Sequence, residues 1–437
     1  MKFTKMSLVA ALLVGSSAFA IDNVKMSGKA DLFYNTTDAK AGYAALTNKD
    51  NLFSKDNSAA DAGLNLNVTA DLAKNDLVTV SAGAGYTILT TLGLENNFVS
   101  NVWGGAHTAT TGTGANYANL GTYGGAKVEN ANWMNEAWVA VSLNQMSKST
   151  LKLGRMELDT PLAFTEKWSI EKNTFEAAVL VNQDIPDTTV VAAYVGNGNG
   201  TEAFGQNSQS NVNALGLAVG PVVNQNGEFT TYATNGAYAV GVINNSFKPL
   251  TAQAWYYDLV SLATAYWLQG DLDASALGVD GLTAGVQYTS TKVGNGDASQ
   301  TAAGMIGYAM KDMFSAKLAY SKTGSKGALW GSNTATSTGA SKLYTEAWWN
   351  YGYVTRKSTD AYMVAVDVPV AGIADFGVQY TNADVSAQGQ DMREIALTAS
   401  RSFGPLDTTL AYINAKADDQ NNAESYNMVQ AYLSLNF

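Results

Sequence analysis

Between Met156 and Lys172 the sequence sets Glu157, Asp159, Glu166, Lys167, Glu171 and Lys172 close together, with Arg155 just before them. Carboxylates interleaved with ammonium groups do no covalent chemistry by themselves. Held at a narrow opening, they make a transverse field that orients polar solutes and penalises apolar ones. On an open loop the same side chains are ordinary solvated charges. Groups for catalysis are scarce: the chain has no cysteine and one histidine, His107, in a Gly- and Thr-rich stretch. That argues against a zinc or haem centre and against a Ser-His hydrolase, so no enzymatic activity is expected. Asp418-Asp419, or Asp56 with Asp61, could hold a structural Ca²⁺ through oxygen ligands, though EF-hand spacing is absent. No other cofactor is implied. The run Gly196-Asn197-Gly198-Asn199-Gly200 lacks the spacing of a phosphate-binding loop.

The elements that must position these charges follow from the pattern of the whole chain. Lys2 and Lys5, the apolar run Met6 to Gly15 and the small residues Ser17-Ala18-Phe19-Ala20 together read as a secretory signal peptide over residues 1–20. Residues 21–437 then form one exported domain. No later apolar run is long enough for a membrane helix. Yet the chain is 46% hydrophobic and 14% charged, with 22 Tyr and 9 Trp, which excludes disorder. Loss of Lys2 and Lys5 takes the formal charge from −11 to −13. An acidic exported protein repels phosphates and is a poor partner for nucleic acid.

Apolar residues spread by alternation resolve the contrast. Leu64, Leu66, Val68 and Ala70 oppose Asn65, Asn67, Thr69 and Asp71, and Leu282, Ala284, Val286 and Tyr288 oppose Thr283, Gly285, Gln287 and Thr289. Phe175, Ala177, Val179 and Val181 likewise oppose Thr174, Glu176 and Asn182. The second sets are too polar for a dry core, so the first sets are expected to face lipid and the second a wet lumen. The reading is all-β: a transmembrane antiparallel β-barrel. Its strands are expected near 24–35, 61–72, 76–87, 131–144, 149–156, 172–182, 187–196, 236–243, 251–259, 261–269, 281–290, 301–310, 313–322, 360–368, 372–381, 391–402, 405–415 and 426–437. Their number, 18, is even, as in bacterial barrels, and short turns alternate with long loops, as expected of periplasmic and extracellular connections. By alternation, Lys29, Asp31, Glu136, Lys152, Glu176, Lys317 and Asp375 should line the lumen. The prolines avoid strand interiors, Pro186, Pro249, Pro369 and Pro405 falling in predicted short turns. Tyr86, Tyr194, Tyr288, Tyr320, Tyr380 and Phe437 suit aromatic girdles at the membrane interfaces.

The segment Lys152 to Gly196 resembles the OprD-type outer-membrane porins, and especially the major outer-membrane porins of Campylobacter-like bacteria. Gly154-Arg155 closes a strand, Thr160-Pro161 opens an inward-folded third loop, and Asn173-Thr174-Phe175-Glu176 begins the next strand. The resemblance covers about 45 residues, Lys152 to Gly196; elsewhere the agreement is in pattern and strand count. It implies an 18-stranded barrel of the Gram-negative outer membrane, often trimeric, with residues 157–172 as the constriction loop. Selective members of that family are expected to carry a basic ladder. Here the arginines are Arg155, Arg356, Arg393 and Arg401; three share parity with apolar neighbours near strand ends, and Arg356 falls in a loop. A passive porin for small hydrophilic solutes and ions, weakly preferring cations, fits better than a selective channel for carboxylate-bearing solutes. A surface adhesin or surface-layer β-protein is a more distant alternative. The expected partners are membrane lipid and lipopolysaccharide, the barrel-assembly machinery through the terminal Phe437, and two further copies of the chain.

Overall fold

The computed structural model describes residues 21–39, 51–53, 58–90, 131–167, 170, 172–200, 227, 229–233, 235–327, 331–335, 340–386 and 389–437. The expected signal peptide, His107, Glu171 and Asp56 lie outside them. The described strands are β1 (Asp22–Thr37), β2 (Ser58–Lys74), β3 (Val78–Thr90), β4 (Ala131–Leu143), β5 (Ser149–Met156), β6 (Phe175–Asn182) and β7 (Thr188–Gly198). They continue as β8 (Thr230–Thr231), β9 (Ala237–Asn244), β10 (Leu250–Leu259), β11 (Ala263–Asp273), β12 (Leu282–Val293) and β13 (Ala298–Met310). The last are β14 (Phe314–Thr323), β15 (Thr359–Val370), β16 (Ala374–Val385), β17 (Met392–Phe403), β18 (Leu406–Ala417) and β19 (Tyr426–Asn436). All pairings are antiparallel. β8 only extends the edge of β7 over two residues, so 18 long strands make the wall. β1 pairs with β19 from Lys29↔Asn436 to Thr37↔Met428. The sheet has no free edge; it is a closed barrel.

Every expected strand has its counterpart. The ends differ where loop-side residues are polar: Thr291–Val293 read as loop yet pair with β11. Lys172–Thr174, read as strand, belong to the preceding loop. Pro369 sits at the penultimate position of β15, not in the turn, where the ladder is about to end.

Side chains alternate as the pleat requires. Leu66, Val68, Tyr194, Tyr238, Leu268, Tyr288, Ile306, Leu318, Tyr320 and Val378 are exposed on the outer face. The inner face obeys a second rule, pairing glycine across the ladder with a bulky or charged residue. The pairs are Asp31↔Gly63, Trp138↔Gly83 and Glu136↔Gly85 on β1–β4, and Trp255↔Gly241 and Asp271↔Gly285 farther round. Lys317↔Gly307 and Asp367↔Gly377 repeat it. A Cβ at Gly83 or Gly241 would run into the facing indole ring. At these two positions the missing side chain lets the indole lie along the wall instead of jutting into the bore.

The lumen is not uniformly wet. Beneath two loops folded into the barrel, Met156, Leu158, Leu162, Phe175, Ala177, Val195, Trp255, Tyr257 and Trp267 form a dry cluster. This overturns the expected orientation of β6: Phe175 is 1% exposed and points inward. The apolar face of β6 packs under a loop rather than against lipid, so Glu176 lies on the outer face.

Candidate functional site

Met156 leaves β5 and the chain turns into the barrel. The turn is built locally. Thr160 Oγ1 donates to the Ala163 carbonyl at 2.8 Å, the Ala163 amide returns a bond at 3.2 Å, and Pro161 sits where no amide is needed. Leu158 and Thr165 pair their backbones around it at 2.8 Å. Asn65 on β2 donates to the Ile170 carbonyl at 3.2 Å, and the Leu162 amide donates to the Tyr257 hydroxyl on β10 at 3.4 Å. The loop is therefore anchored to opposite stretches of wall and crosses the lumen between them.

A second loop, between β14 and β15, enters from the other side. Glu394 on β17, 2% exposed, accepts the Trp349 and Asn350 amides at 2.9 Å each and the Asn350 side chain at 2.8 Å. Gln287 donates to the Lys342 carbonyl at 2.8 Å and accepts the Tyr344 amide at 3.0 Å; the Tyr344 hydroxyl bonds Asp271. The loops meet. Asn333 donates to Phe164 O and Glu166 Oε1, both at 2.9 Å, the Thr334 amide donates to Leu162 O at 2.8 Å, and Lys342 pairs with Asp159.

The expected charges divide into groups. Lys172 bridges Glu136, at 2.6 Å, and Glu157, which Lys167 also contacts. Burial opposes charge on Glu157, but Lys172 and Lys167 beside it outweigh that and hold its carboxyl below the usual range. Burial likewise pulls the Lys172 ammonium down, and the two carboxylates more than restore it. Lys152 lies 4.0 Å over the Trp138 ring next to this group. Asp159 is separate, its side chain 88% exposed, with Lys342 its counter-charge. Glu166, 4% exposed, fastens the two loops together and does not line the opening. Among the remaining lumen residues, Lys29 pairs with Asp31 at 2.8 Å, Asp31 also accepts from Ser434 at 2.5 Å, and Lys317 and Asp375 stand apart on the β14 and β16 wall.

Two expected site residues are misplaced. Arg155 faces outward, its Nε 2.9 Å from Glu176 and its guanidinium over the Phe229 ring. Its parity matches Leu151 and Leu153, both exposed on the outer face. It belongs neither to the constriction nor to the lumen, and Glu176 leaves the lumen with it. Asp419 is taken up by Arg356 at 2.8 Å and by the Tyr353 hydroxyl. The residues that sequence reading passed over are Lys342, Asn333, Glu394 and Glu346, all serving the second loop. Its aromatic content (Tyr344, Trp348, Trp349, Tyr351 and Tyr353) was the available signal, because so many rings are not left in water.

No protein-family model matches the chain, and no curated protein matches its sequence. Solved structures do. Pseudomonas aeruginosa OccK8 (OprE) superposes with a TM-score of 0.67 at 13% identity, covering 95% of this chain and 98% of that one. P. aeruginosa OccK9 (OpdG) gives 0.67 at 12% identity with the same coverage. The P. aeruginosa outer membrane protein OpdK, also solved with vanillate, gives 0.64 at 13% over the same shares. At such identities the likeness is one of fold, and that fold is the closed 18-strand antiparallel barrel of the OprD/Occ porins.

Proposed function

We propose that the chain is an outer-membrane porin of a Gram-negative bacterium, through which small hydrophilic solutes and ions diffuse passively. One observation carries the reading: two loops fold into a closed barrel and meet there, and the first of them keeps the Asp159 and Lys167 side chains exposed with Glu157 half-buried beside them. A water-filled barrel needs nothing more than a constriction of set width and charge. The outer face is apolar and ringed by tyrosines such as Tyr194, Tyr288 and Tyr320, which supports seating in lipid and lipopolysaccharide. A trimer and assembly through Phe437 belong to the same reading. The opening carries Glu157 and Asp159 against Lys167 and Lys342, with an acidic chain around them, and the pore is read as weakly cation-preferring.

The test is a planar bilayer. The purified protein is expected to insert in discrete conductance steps, and a tenfold KCl gradient should give a reversal potential of the cation-preferring sign. Asp159→Asn should move that potential toward zero. An absence of steps removes the porin reading, and an anion-preferring potential removes the cation preference. A carboxylate-selective channel is the second reading, favoured by Lys152, Lys317 and Lys342 on the lumen side; strong anion preference would promote it.

A further inference from the structure

Away from the constriction, toward the short turns, a cavity of about 380 Å³ opens against the lumen face of β12–β17. Its size is that of a small-ligand site. Lys317 and Asp367 line it together, and Trp348 reaches it from the second inward loop. The glycine pairing makes the room: Gly307 faces Lys317 and Gly377 faces Asp367. A Cβ at Gly377 would come within 2.8 Å of Asp367 Oδ1 and crowd Thr398 Oγ1.

The two charges are neighbours without being partners. Ser315 pairs with Asp367 and Lys317 with Ala365, which sets Lys317 and Asp367 diagonally across the β14–β15 ladder. Diagonal neighbours stand about 7–8 Å apart, within reach of long side chains. No ion pair within 4.0 Å joins them. Asp367 accepts only the Ser315 hydroxyl, at 3.1 Å, and Lys317 has no hydrogen-bond or ion-pair partner among the described residues. Other lumen charges close ion pairs: Lys29 with Asp31, Lys172 with Glu136 and Glu157, Lys342 with Asp159. Here an open ammonium and an open carboxylate share a concave wall beside an indole ring.

We propose that this cavity is a solute-binding subsite for small zwitterions bearing an apolar group. The solute's carboxylate would meet Lys317, its ammonium Asp367 and its apolar part the Trp348 ring. Each single charge of the solute would gain half of the recognition, and reversing the solute end for end would set like charges together. The proposal rests on the channel reading, since a solute reaches the cavity through the lumen.

The experiment is calorimetric titration of the detergent-solubilised full barrel with L-phenylalanine, 3-phenylpropionate and 2-phenylethylamine. Binding of L-phenylalanine is expected to be about tenfold tighter than that of either single-charge analogue, and about tenfold weaker in Lys317→Gln and in Asp367→Asn. Heat-dependent gel migration confirms that each variant is a closed barrel. The proposal is overturned by no binding of L-phenylalanine to the wild type, or by binding unchanged in both variants. Equal affinity for 3-phenylpropionate, insensitive to Asp367→Asn, also overturns it, because the site would then read only a carboxylate. In bilayers, L-phenylalanine should interrupt the current for shorter times in both variants. A folded protein that binds it calorimetrically but conducts nothing would keep the subsite and remove the porin.

Discussion

Glycine in a strand usually weakens it, since it packs nothing and is costly to order. In this barrel the lumen glycines earn their place opposite residues that need space. Trp255 lies over Gly241 and Trp138 over Gly83, with each indole nitrogen reaching a polar neighbour on its own strand: Trp255 bonds Gln253 at 2.9 Å and Trp138 bonds Glu136 at 3.3 Å. Gly241→Val should push the Trp255 ring off the wall and into the loop above it. A loss of about 1–3 kcal/mol is expected from such overpacking, read as a lower urea midpoint; an unchanged midpoint would show that the ring has room to move. The ion group around Lys172 makes a second prediction. The raised Lys172 pKa means its contribution is present at neutral pH and lost only as pH climbs beyond the ordinary lysine range. The lowered Glu157 pKa means its contribution persists as pH falls, until the carboxyl is protonated below its usual value. Ion selectivity should therefore stay level from about pH 5 to pH 9, where both groups keep their charge. Lys172→Met, which leaves Glu136 without its ion-pair partner and Glu157 with Lys167 alone, should raise the cation preference in reversal-potential measurements across that range.

At the scale of elements the second inward loop is the least self-sufficient part. Among its described residues the regular structure is a single short helical turn, Tyr353–Thr355, and the loop is held by carboxylates: Glu394 from the wall and Glu346 from within. Glu346 accepts the Ser341 amide and hydroxyl at 2.8 and 2.5 Å, the Ala347 amide at 3.1 Å and the Gly352 amide at 3.2 Å. Burial, only partly offset by these donors, pushes its carboxyl up to about 7. An acid whose pKa is raised on docking takes up a proton in the docked state, so docking weakens as pH rises toward and through about 7. Amide exchange over residues 341–352, corrected for intrinsic rates, should show greater protection at pH 5.5 than at pH 8, a difference that Glu346→Gln abolishes. Protection that increases with pH would contradict this sign. The strands were legible in the sequence because a two-residue period with lipid on one side leaves an unbroken signature; Leu282–Thr289 is one case. The loops were not. Asn333 and Lys342 act through partners 167 and 183 positions away, and no local period records that. The inversion of β6 has the same cause. Parity says only that Phe175 and Glu176 face opposite ways, and the loop packed inside the barrel decides which of them is in.

For the whole molecule, the decisive event is closure. A barrel with one unpaired seam would leave two rows of backbone groups unsatisfied in lipid, each costing several kcal/mol. The β1–β19 seam ends at Gly28 and Phe437, whose backbones exchange hydrogen bonds at 2.7 and 3.0 Å. The Phe437 ring lies over Gly28 so closely that a Cβ there would overlap it. This contact sits on the outer face, next to Met26, Leu66, Val68 and Met134 in an apolar groove. Gly28→Val should therefore displace the ring from the last turn of the seam, while the hydrogen-bond ladder from Lys29 to Thr37 still forms. The expected result is a barrel that closes and conducts but opens more readily. Its heat-dependent gel shift should move to lower temperature by an amount matching about 1–3 kcal/mol of overpacking. Phe437→Ala on the Gly28→Val background relieves the clash and should recover part of that loss. If the double variant opens as early as the single one, the strain lies in the backbone at position 28 and the ring is not what seals the seam.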